Sequence, residues 1–265
     1  MSDRETENRY DDRNIDTLER VYGEGYLSAG GDAEVARIVA DVVVRGQRVL
    51  DIGCGLGGAA VALVRDHGAA YVQGVDLDAA VLARARALVD RRGVAEKVSL
   101  RRTEVGPLPF DDASFDIVYA TAVTCHMREL GSFFQDIRRV LRPGGMLVGN
   151  EWFKASDNPA FRTWDDLLRG RGLNFYFVTR ETFVAALRSA GFESPALNDR
   201  TRAFTELAQT AVRRVDNDLR QQLLSSIGDE GYRAFREWTS VRHTALAEGG
   251  MYQGHFRAKN LNSSR

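Results

Sequence analysis

Asp51, Gly53, Gly55, Gly58 and Asp76 are the residues whose types and spacing could do chemistry. The run Asp51-Ile52-Gly53-Cys54-Gly55-Leu56-Gly57-Gly58 contains G-x-G-x-x-G, a loop that brings backbone close to a ligand at a helix N-terminus. That pattern alone points only to a nucleotide-like ligand. Asp51 narrows it. A carboxylate at the strand end, beside the loop, repels a pyrophosphate and suits a cationic ligand with an amino acid tail. Asp76 closes the next apolar strand, Tyr71-Val72-Gln73-Gly74-Val75-Asp76, 18 residues after Gly58. An acid there accepts hydrogen bonds from ribose hydroxyls. Its plainer reading is a helix N-cap, since Asp76 and Asp78 precede a helix over 79–90; both can hold.

A second group follows the fourth predicted strand, in Tyr119-Ala120-Thr121-Ala122-Val123-Thr124-Cys125-His126-Met127. His126 starts near the pKa that a proton acceptor needs; its plainer reading is a satisfied polar side chain. Glu151, in Asn150-Glu151-Trp152 on the next strand, is expected to orient or charge-pair with His126, or else to bridge to a cap arginine. Cys125 reads as a packed thiol.

These residues must be held by an alternation of strands and helices. The pattern predicts elements at about 47–52, 57–66, 71–76, 79–90, 97–102, 115–120, 129–141 and 145–151, hence a parallel sheet with helices on both faces. Val35–Val43 reads as a helix leading in. Thr179–Ala190 reads as a helix that Gly191 stops, and Met251–Lys259 as a last strand. At the N-terminus, Tyr10, Ile15, Leu18, Val21 and Tyr22 recur at roughly helical spacing within a charged segment. That predicts a short helix that closes over the site, against the alternative of a solvated arm. Segments 154–178 and 201–248 exceed a minimal sheet fold and carry many aromatic and aliphatic residues. Connections after strands lie at the ligand end of such a sheet, so both are expected to cap the substrate; extra core and oligomer surface is the other reading.

The whole chain sets bounds. Its 265 residues suffice for one large core with insertions. A net charge of -1 leaves no nucleic-acid footprint. Of 36 basic residues only Lys97, Lys154 and Lys259 are lysines. The polar N-terminus and the lack of a long apolar run predict neither signal peptide nor membrane span. Two cysteines make no disulfide framework, so a cytoplasmic setting is expected. The histidines are scattered and no metal-ligand spacing is present.

Val49–Gly58, Gly74–Asp78, Leu108-Pro109-Phe110, Ser114-Phe115-Asp116 and Val140-Leu141-Arg142-Pro143-Gly144-Gly145 occur in the order and spacing of class I S-adenosylmethionine-dependent methyltransferases, which the chain resembles over about residues 45 to 155. The resemblance implies a Rossmann-like, seven-stranded, mostly parallel α/β sheet with an antiparallel last strand. It implies S-adenosyl-L-methionine as cofactor, a ligand with a sulfonium and an ammonium and no phosphate. The residues it assigns to that cofactor are Asp51, Gly53, Cys54, Gly55, Gly58, Asp76, Leu77, Glu104, Val105 and Ala120; Glu104 stands where an aspartate often contacts adenine. The expected division is an N-terminal lid, 1–30; a cofactor core, 31–153; cap insertions, 154–178 and 201–248; and completion of the core by 179–200 and 249–265.

Tyr22-Gly23-Glu24-Gly25-Tyr26-Leu27-Ser28-Ala29-Gly30-Gly31 and Gly254–Asn260 look more narrowly like phosphoethanolamine N-methyltransferases. That likeness pairs a lid tyrosine, Tyr10, with His126 as catalytic residues, and Glu151 joins them as an expected third. Departures matter too: Ala122 replaces the acid that helps hold the amine, and the phosphate partners fall near Leu173, Phe175 and Trp152. Arg242 could replace one basic contact. A histidine followed by an acid on the next strand also resembles natural-product O-methyltransferases. The substrate side is thus assigned to Tyr22, Tyr26, Ala122, Trp152, Phe175 and Arg242. The expected activity is O- or N-methylation of a small, partly apolar specialised metabolite. C-methylation, or a methyltransferase fold recruited as a cyclase or ligand-binding protein, are the alternatives. A small-molecule acceptor is the only partner expected; a homo-oligomer is left open.

Overall fold

The structure is a computed structural model that describes residues 12–261. Tyr10 therefore lies outside the described residues. The sheet has seven strands in the order β3-β2-β1-β4-β5-β7-β6. In chain order they are β1 Arg48–Ile52, β2 Tyr71–Asp76, β3 Val98–Arg102, β4 Phe115–Thr121, β5 Leu141–Lys154, β6 Glu193–Asp199 and β7 Met251–Lys259. The first five pair in parallel. β7 runs antiparallel to both β5 and β6.

The two-residue period of the strands sends alternate side chains to opposite faces. Leu50, Ile52, Val118, Leu147 and Phe256 meet the helices α5 (Leu130–Val140) and α7 (Arg180–Ser189). Val49, Val72, Ile117, Tyr119 and Val148 meet α2 (Gly31–Ile38), α3 (Gly58–Arg65) and α4 (Ala79–Arg91). Fully burying one such side chain stabilises the fold by about 1.5–3 kcal/mol, so the central strands fix the sheet on which the site is built.

Three elements depart from expectation. The leading helix runs Gly31–Ile38, starting before and ending short of the expected Val35–Val43. β5 runs on to Lys154, past the expected end at 151, because Asn150 to Lys154 continue the ladder with β7. β6 has no counterpart among the predicted strands. Its sequence, Glu-Ser-Pro-Ala-Leu-Asn-Asp, is polar and holds a proline. An edge strand tolerates both, and a bulge between Glu193 and Ala196 absorbs Ser194 in a left-handed conformation.

Beyond the ligand end of the sheet lie α6 (Pro159–Gly170), α8 (Thr201–Asp216) and α9 (Arg220–Ala247), the last kinked at Gly228. Phe161, Trp164, Leu168, Phe204, Ala208, Ala245 and Leu246 pack with Trp152 and Met251 in one apolar cluster. The predicted N-terminal helix is α1, Asp12–Tyr22. Ile15 packs on Leu56 of the glycine loop and on Val81. Val21 packs with Ala211, Val215, Leu223, Tyr232 and Phe235 of α8 and α9. The helix therefore bridges the glycine loop and that helix pair. Arg84 of α4 holds Asp12 and Asp16, and Arg214 of α8 donates to the carbonyls of Arg20 and Val21. Among the described residues no helix is long and apolar enough to cross a membrane.

Candidate active site

β1 and β4 are neighbours, and the chain leaves both into loops at the same end of the sheet. After β1, Gly53, Gly55 and Gly57 take left-handed backbone angles, with φ of 67°, 54° and 83°, which glycine adopts at little steric cost. A Cβ at Gly53 would stand 2.8 Å from Val123 Cγ2, so the loop after β4 closes directly on this turn. The backbone N–H groups of Gly53 and Cys54 donate to the carbonyl of Val75, at 2.8 and 3.0 Å, and tie the turn to β2.

Asp51 is 2% exposed, and its Oδ2 has no hydrogen-bond partner among the described residues. Burial, and then the charge of Asp76, push its carboxyl up to about 8. An acid buried without a donor is costly, and a ligand ammonium is the group that would complete it. Asp76 accepts from the N–H of Gly55 and of Asp78, each at 3.0 Å; burial raises its pKa. The helix cap is made by Asp78, whose Oδ1 accepts from Ala80 and Val81. Asp76 is thus not needed as a cap and remains at the strand end, beside the glycine loop. Leu77 is 43% and Val105 81% exposed; they and the exposed Glu104 follow β2 and β3 at that same end of the sheet. Two acids, an open glycine turn and exposed apolar side chains fit S-adenosylmethionine: Asp51 for the ammonium, Asp76 for the ribose, Leu77 and Val105 for the adenine.

Three assigned residues sit differently from a direct cofactor contact. The Cys54 side chain packs on Gly74, where an added Cβ would meet its Sγ at 2.9 Å; burial raises the thiol's pKa well above its usual value. Ala120 turns its side chain to the α5–α7 face, leaving only backbone for a ligand. Gly58 donates its N–H to the Gly25 carbonyl at 3.1 Å, and a Cβ there would meet that oxygen at 2.6 Å and the Tyr26 ring at 2.7 Å. Gly58 is a seat for the N-terminal segment. Tyr26, expected at the substrate, packs on this helix N-terminus and donates its hydroxyl to Asp32.

The loop after β4 carries Ala122, at φ 53°, whose N–H donates to the Asn150 carbonyl at 2.9 Å. A single 3-10 turn, Thr124–His126, follows. His126 is exposed, and its ring centroid lies 4.5 Å from that of Phe175. Glu151 is fully buried. Its Oε2 accepts from the Thr124 N–H at 2.7 Å and the Thr124 hydroxyl at 2.6 Å; its Oε1 accepts from the Trp152 N–H at 2.8 Å. Burial raises its pKa against those hydrogen bonds. The expectation that Glu151 bridges to a cap arginine is not met among the described ion pairs. Its bonds go to the turn that carries His126, so it fixes the backbone under the histidine.

Trp152, Phe175 and Arg242 come together as expected, and Tyr22 joins them. Trp152 and Phe175 stack with centroids 6.3 Å apart and planes 10° from parallel. The Arg242 guanidinium lies 4.6 Å from the Trp152 ring centroid and donates to the Tyr22 hydroxyl at 3.3 Å. Sequence reasoning missed three contributors. Thr124 holds Glu151, and Asn150 has a buried Oδ1 without a partner. Glu34 of α2 pairs with His255 of β7 at 2.5 Å, across 221 residues; a contact so far apart in the chain leaves no local signal.

Residues 50–149 match the family described as "Methyltransferase domain". Phosphoethanolamine N-methyltransferase 1 of Zea mays is 28% identical over 217 residues, covering 81% of this chain and 42% of that protein. A sterol 24-C-methyltransferase of Gibberella zeae is 34% identical over 183 residues, covering 65% and 46%. The chain thus spans less than half the length of these curated relatives. In fold it matches the structure of Haemonchus contortus phosphoethanolamine N-methyltransferase 2 with phosphomonomethylethanolamine and S-adenosylhomocysteine, at TM-score 0.86 and 23% identity over 96% of this chain and 59% of that one. Residues 50–149 are thus those of a methyltransferase domain, and the relatives and fold neighbours together support a class I S-adenosylmethionine-dependent methyltransferase.

Proposed function

We propose that this protein methylates an oxygen or nitrogen of a small, partly apolar acceptor held under the aromatic cap, with S-adenosylmethionine as methyl donor. The buried Asp51 carboxylate with an unpartnered Oδ2, beside a left-handed glycine turn, carries the reading. When bound, the cofactor supplies an electrophilic methyl on a sulfonium, a good leaving group. The chain's own work is then alignment, exclusion of water and removal of a proton.

Asp51 and Asp76 hold and orient the cofactor. The Gly53 turn, closed by Val123, fixes where the methyl meets the acceptor. His126 takes the acceptor's proton; its turn is braced by Glu151 through Thr124. α1 covers the glycine loop through Ile15. The stacked Trp152 and Phe175 make the wall for an apolar acceptor, the basis for an O- or N-methylated metabolite larger than phosphoethanolamine. The sterol C-methyltransferase relative supports a second reading, transfer to an electron-rich carbon with His126 removing the later proton.

The test begins with the cofactor. Asp76→Ala should weaken S-adenosylmethionine binding by about 1–3 kcal/mol, the range for unpaired hydroxyl partners, measured by calorimetry on folded protein. Turnover is then read as S-adenosylhomocysteine formed per enzyme over a panel of phenols, amines and prenylated aromatics. Unchanged affinity in the variant removes the cofactor placement. Tight cofactor binding with less than one product per enzyme on every acceptor favours a recruited, non-transferring fold.

A further inference from the structure

We propose that the acceptor is an organic anion with an apolar body, its oxyanion head held by the Arg242 guanidinium and the Trp152 indole N–H. The inference rests on the methyltransferase reading and names the acceptor's chemical class. Arg242 is only 4% exposed, and it forms no ion pair with a carboxylate among the described residues. Nη1 reaches the Tyr22 hydroxyl, while Nη2 is buried and has no hydrogen-bond partner. Trp152 Nε1 is buried and unpartnered as well. The guanidinium carbon lies over the indole, 4.6 Å from the ring centroid, so both donors belong to one small region.

The ring's π face compensates part of the cost of burying the cation, but it satisfies neither N–H. Guanidinium and indole are donors only. The missing atoms must therefore be acceptors, and the buried positive charge selects an anion. A carboxylate or phosphate oxygen meets both demands, and a guanidinium fork matches either group.

The aromatic residues set the rest of the molecule. Phe175 neighbours both His126 and Trp152, with centroids 4.5 Å from the first and 6.3 Å from the second. The head and the accepting atom are thus separated by aromatic walls, with Leu173, Phe177 and Trp238 in the same cluster. An apolar body spans that gap. An ammonium beside His126 would find Ala122, and the Glu151 oxygens are already engaged by Thr124 and Trp152. The class is therefore an apolar-bodied acid and not a zwitterion. The wall carrying Phe175 lies in a stretch, 173–179, without helix or strand, the part of the enclosure best able to open for entry.

The experiment uses the full chain saturated with S-adenosylhomocysteine. Binding of 3-phenylpropanoate, phenyl phosphate, inorganic phosphate, phosphoethanolamine and the neutral 3-phenylpropanamide is measured by calorimetry. One of the two aromatic acids should bind tighter than the amide by roughly tenfold or more, as a charge-assisted pair requires, and its identity names the head as carboxylate or phosphate. Arg242→Met should abolish that preference and Arg242→Lys should keep part of it, with S-adenosylhomocysteine affinity unchanged in both. If Arg242→Met does not fold, Trp152→Phe keeps an aromatic face, removes the N–H and should weaken the acid several-fold. Equal binding of amide and acids, a preference that survives Arg242→Met, or inorganic phosphate or phosphoethanolamine binding tighter than the aromatic acids overturns the proposal. Loss of S-adenosylhomocysteine binding by the unmodified protein would instead remove the functional reading beneath it.

Discussion

On the proposed reading Asp51 has two tasks in opposition, folding without its ligand and binding with it. In the ligand-free protein its carboxyl titrates at about 8, pushed up first by burial and then by Asp76, whereas in an unfolded chain it would titrate near ~4. Because the folded state holds the proton longer, this group's contribution to stability is present below ~4 and is lost as pH rises to about 8. An ammonium ligand needs the ionised form. S-adenosylhomocysteine binding should therefore release a proton at pH 7, seen as a dependence of calorimetric enthalpy on buffer ionisation, and should tighten from pH 6 to 8. Asp51→Asn should remove the proton release, weaken binding, and raise the melting temperature of the ligand-free protein at pH 8 more than at pH 5. A variant that keeps the wild-type pH dependence would move the ammonium elsewhere. His126 is tested separately: His126→Ala should lower kcat by roughly 10²–10⁴-fold if it takes a proton in the slow step, with cofactor affinity retained. Full activity would leave His126 structural and favour carbon methylation. The acids were legible from the sequence because each ends a strand beside a loop. For Glu151 the sequence offered orienting or charge-pairing with His126, but not the route. Its partner Thr124 lies 27 residues away, and a carboxylate that acts on a histidine through the intervening turn leaves no local signal.

At the level of elements, apolar periodicity located the parallel strands and α1, because burial on one face leaves a strong pattern. β6 escaped, since an exposed edge strand with a proline carries almost no apolar signal. The spans of the cap helices were readable, but their arrangement was not: it depends on Trp152, Trp164 and Trp238 meeting from three separate elements. α1 is the element whose packing ties the two halves of the site. Its ion pairs to α4 are exposed and worth only about 0.2–1 kcal/mol each, whereas Ile15 is completely buried against Leu56. Ile15→Ala should therefore loosen α1 over the glycine loop, weakening S-adenosylhomocysteine binding by about tenfold and lowering turnover further, because closure excludes water. Hydrogen exchange across Asp12–Tyr22 should slow when the ligand binds. Exchange that does not respond, together with wild-type affinity in the variant, would make α1 permanent core and not a lid.

Across the whole molecule the sheet and the cap divide the labour. β1 and β2 lead into the two acids and the glycine turn, which the sequence spells out residue by residue. The cap presents tryptophans, phenylalanines and one buried arginine, assembled from β5, α6, the 173–179 segment and α9; no local pattern announces such a set. A charged amine buried without a partner costs several kcal/mol, and Ala122 offers none. An apolar acceptor gains about 25 cal/mol per Å² buried on the Trp152–Phe175 wall. Phosphoethanolamine should therefore be a poor substrate, and a larger aromatic, prenyl-bearing or polyketide-like acceptor should be preferred. Ala122→Asp should not improve methylation of the natural acceptor: it would place an acid against an apolar or anionic molecule, at a residue whose left-handed φ of 53° aspartate tolerates. The measurement is methylation of phosphoethanolamine with labelled cofactor, by the unmodified protein and by Ala122→Asp. A kcat/KM above roughly 10⁴ M⁻¹s⁻¹ for the unmodified protein, the lower end for ordinary enzymes, would overturn the apolar acceptor and return the site to the chemistry of its phosphoethanolamine relatives.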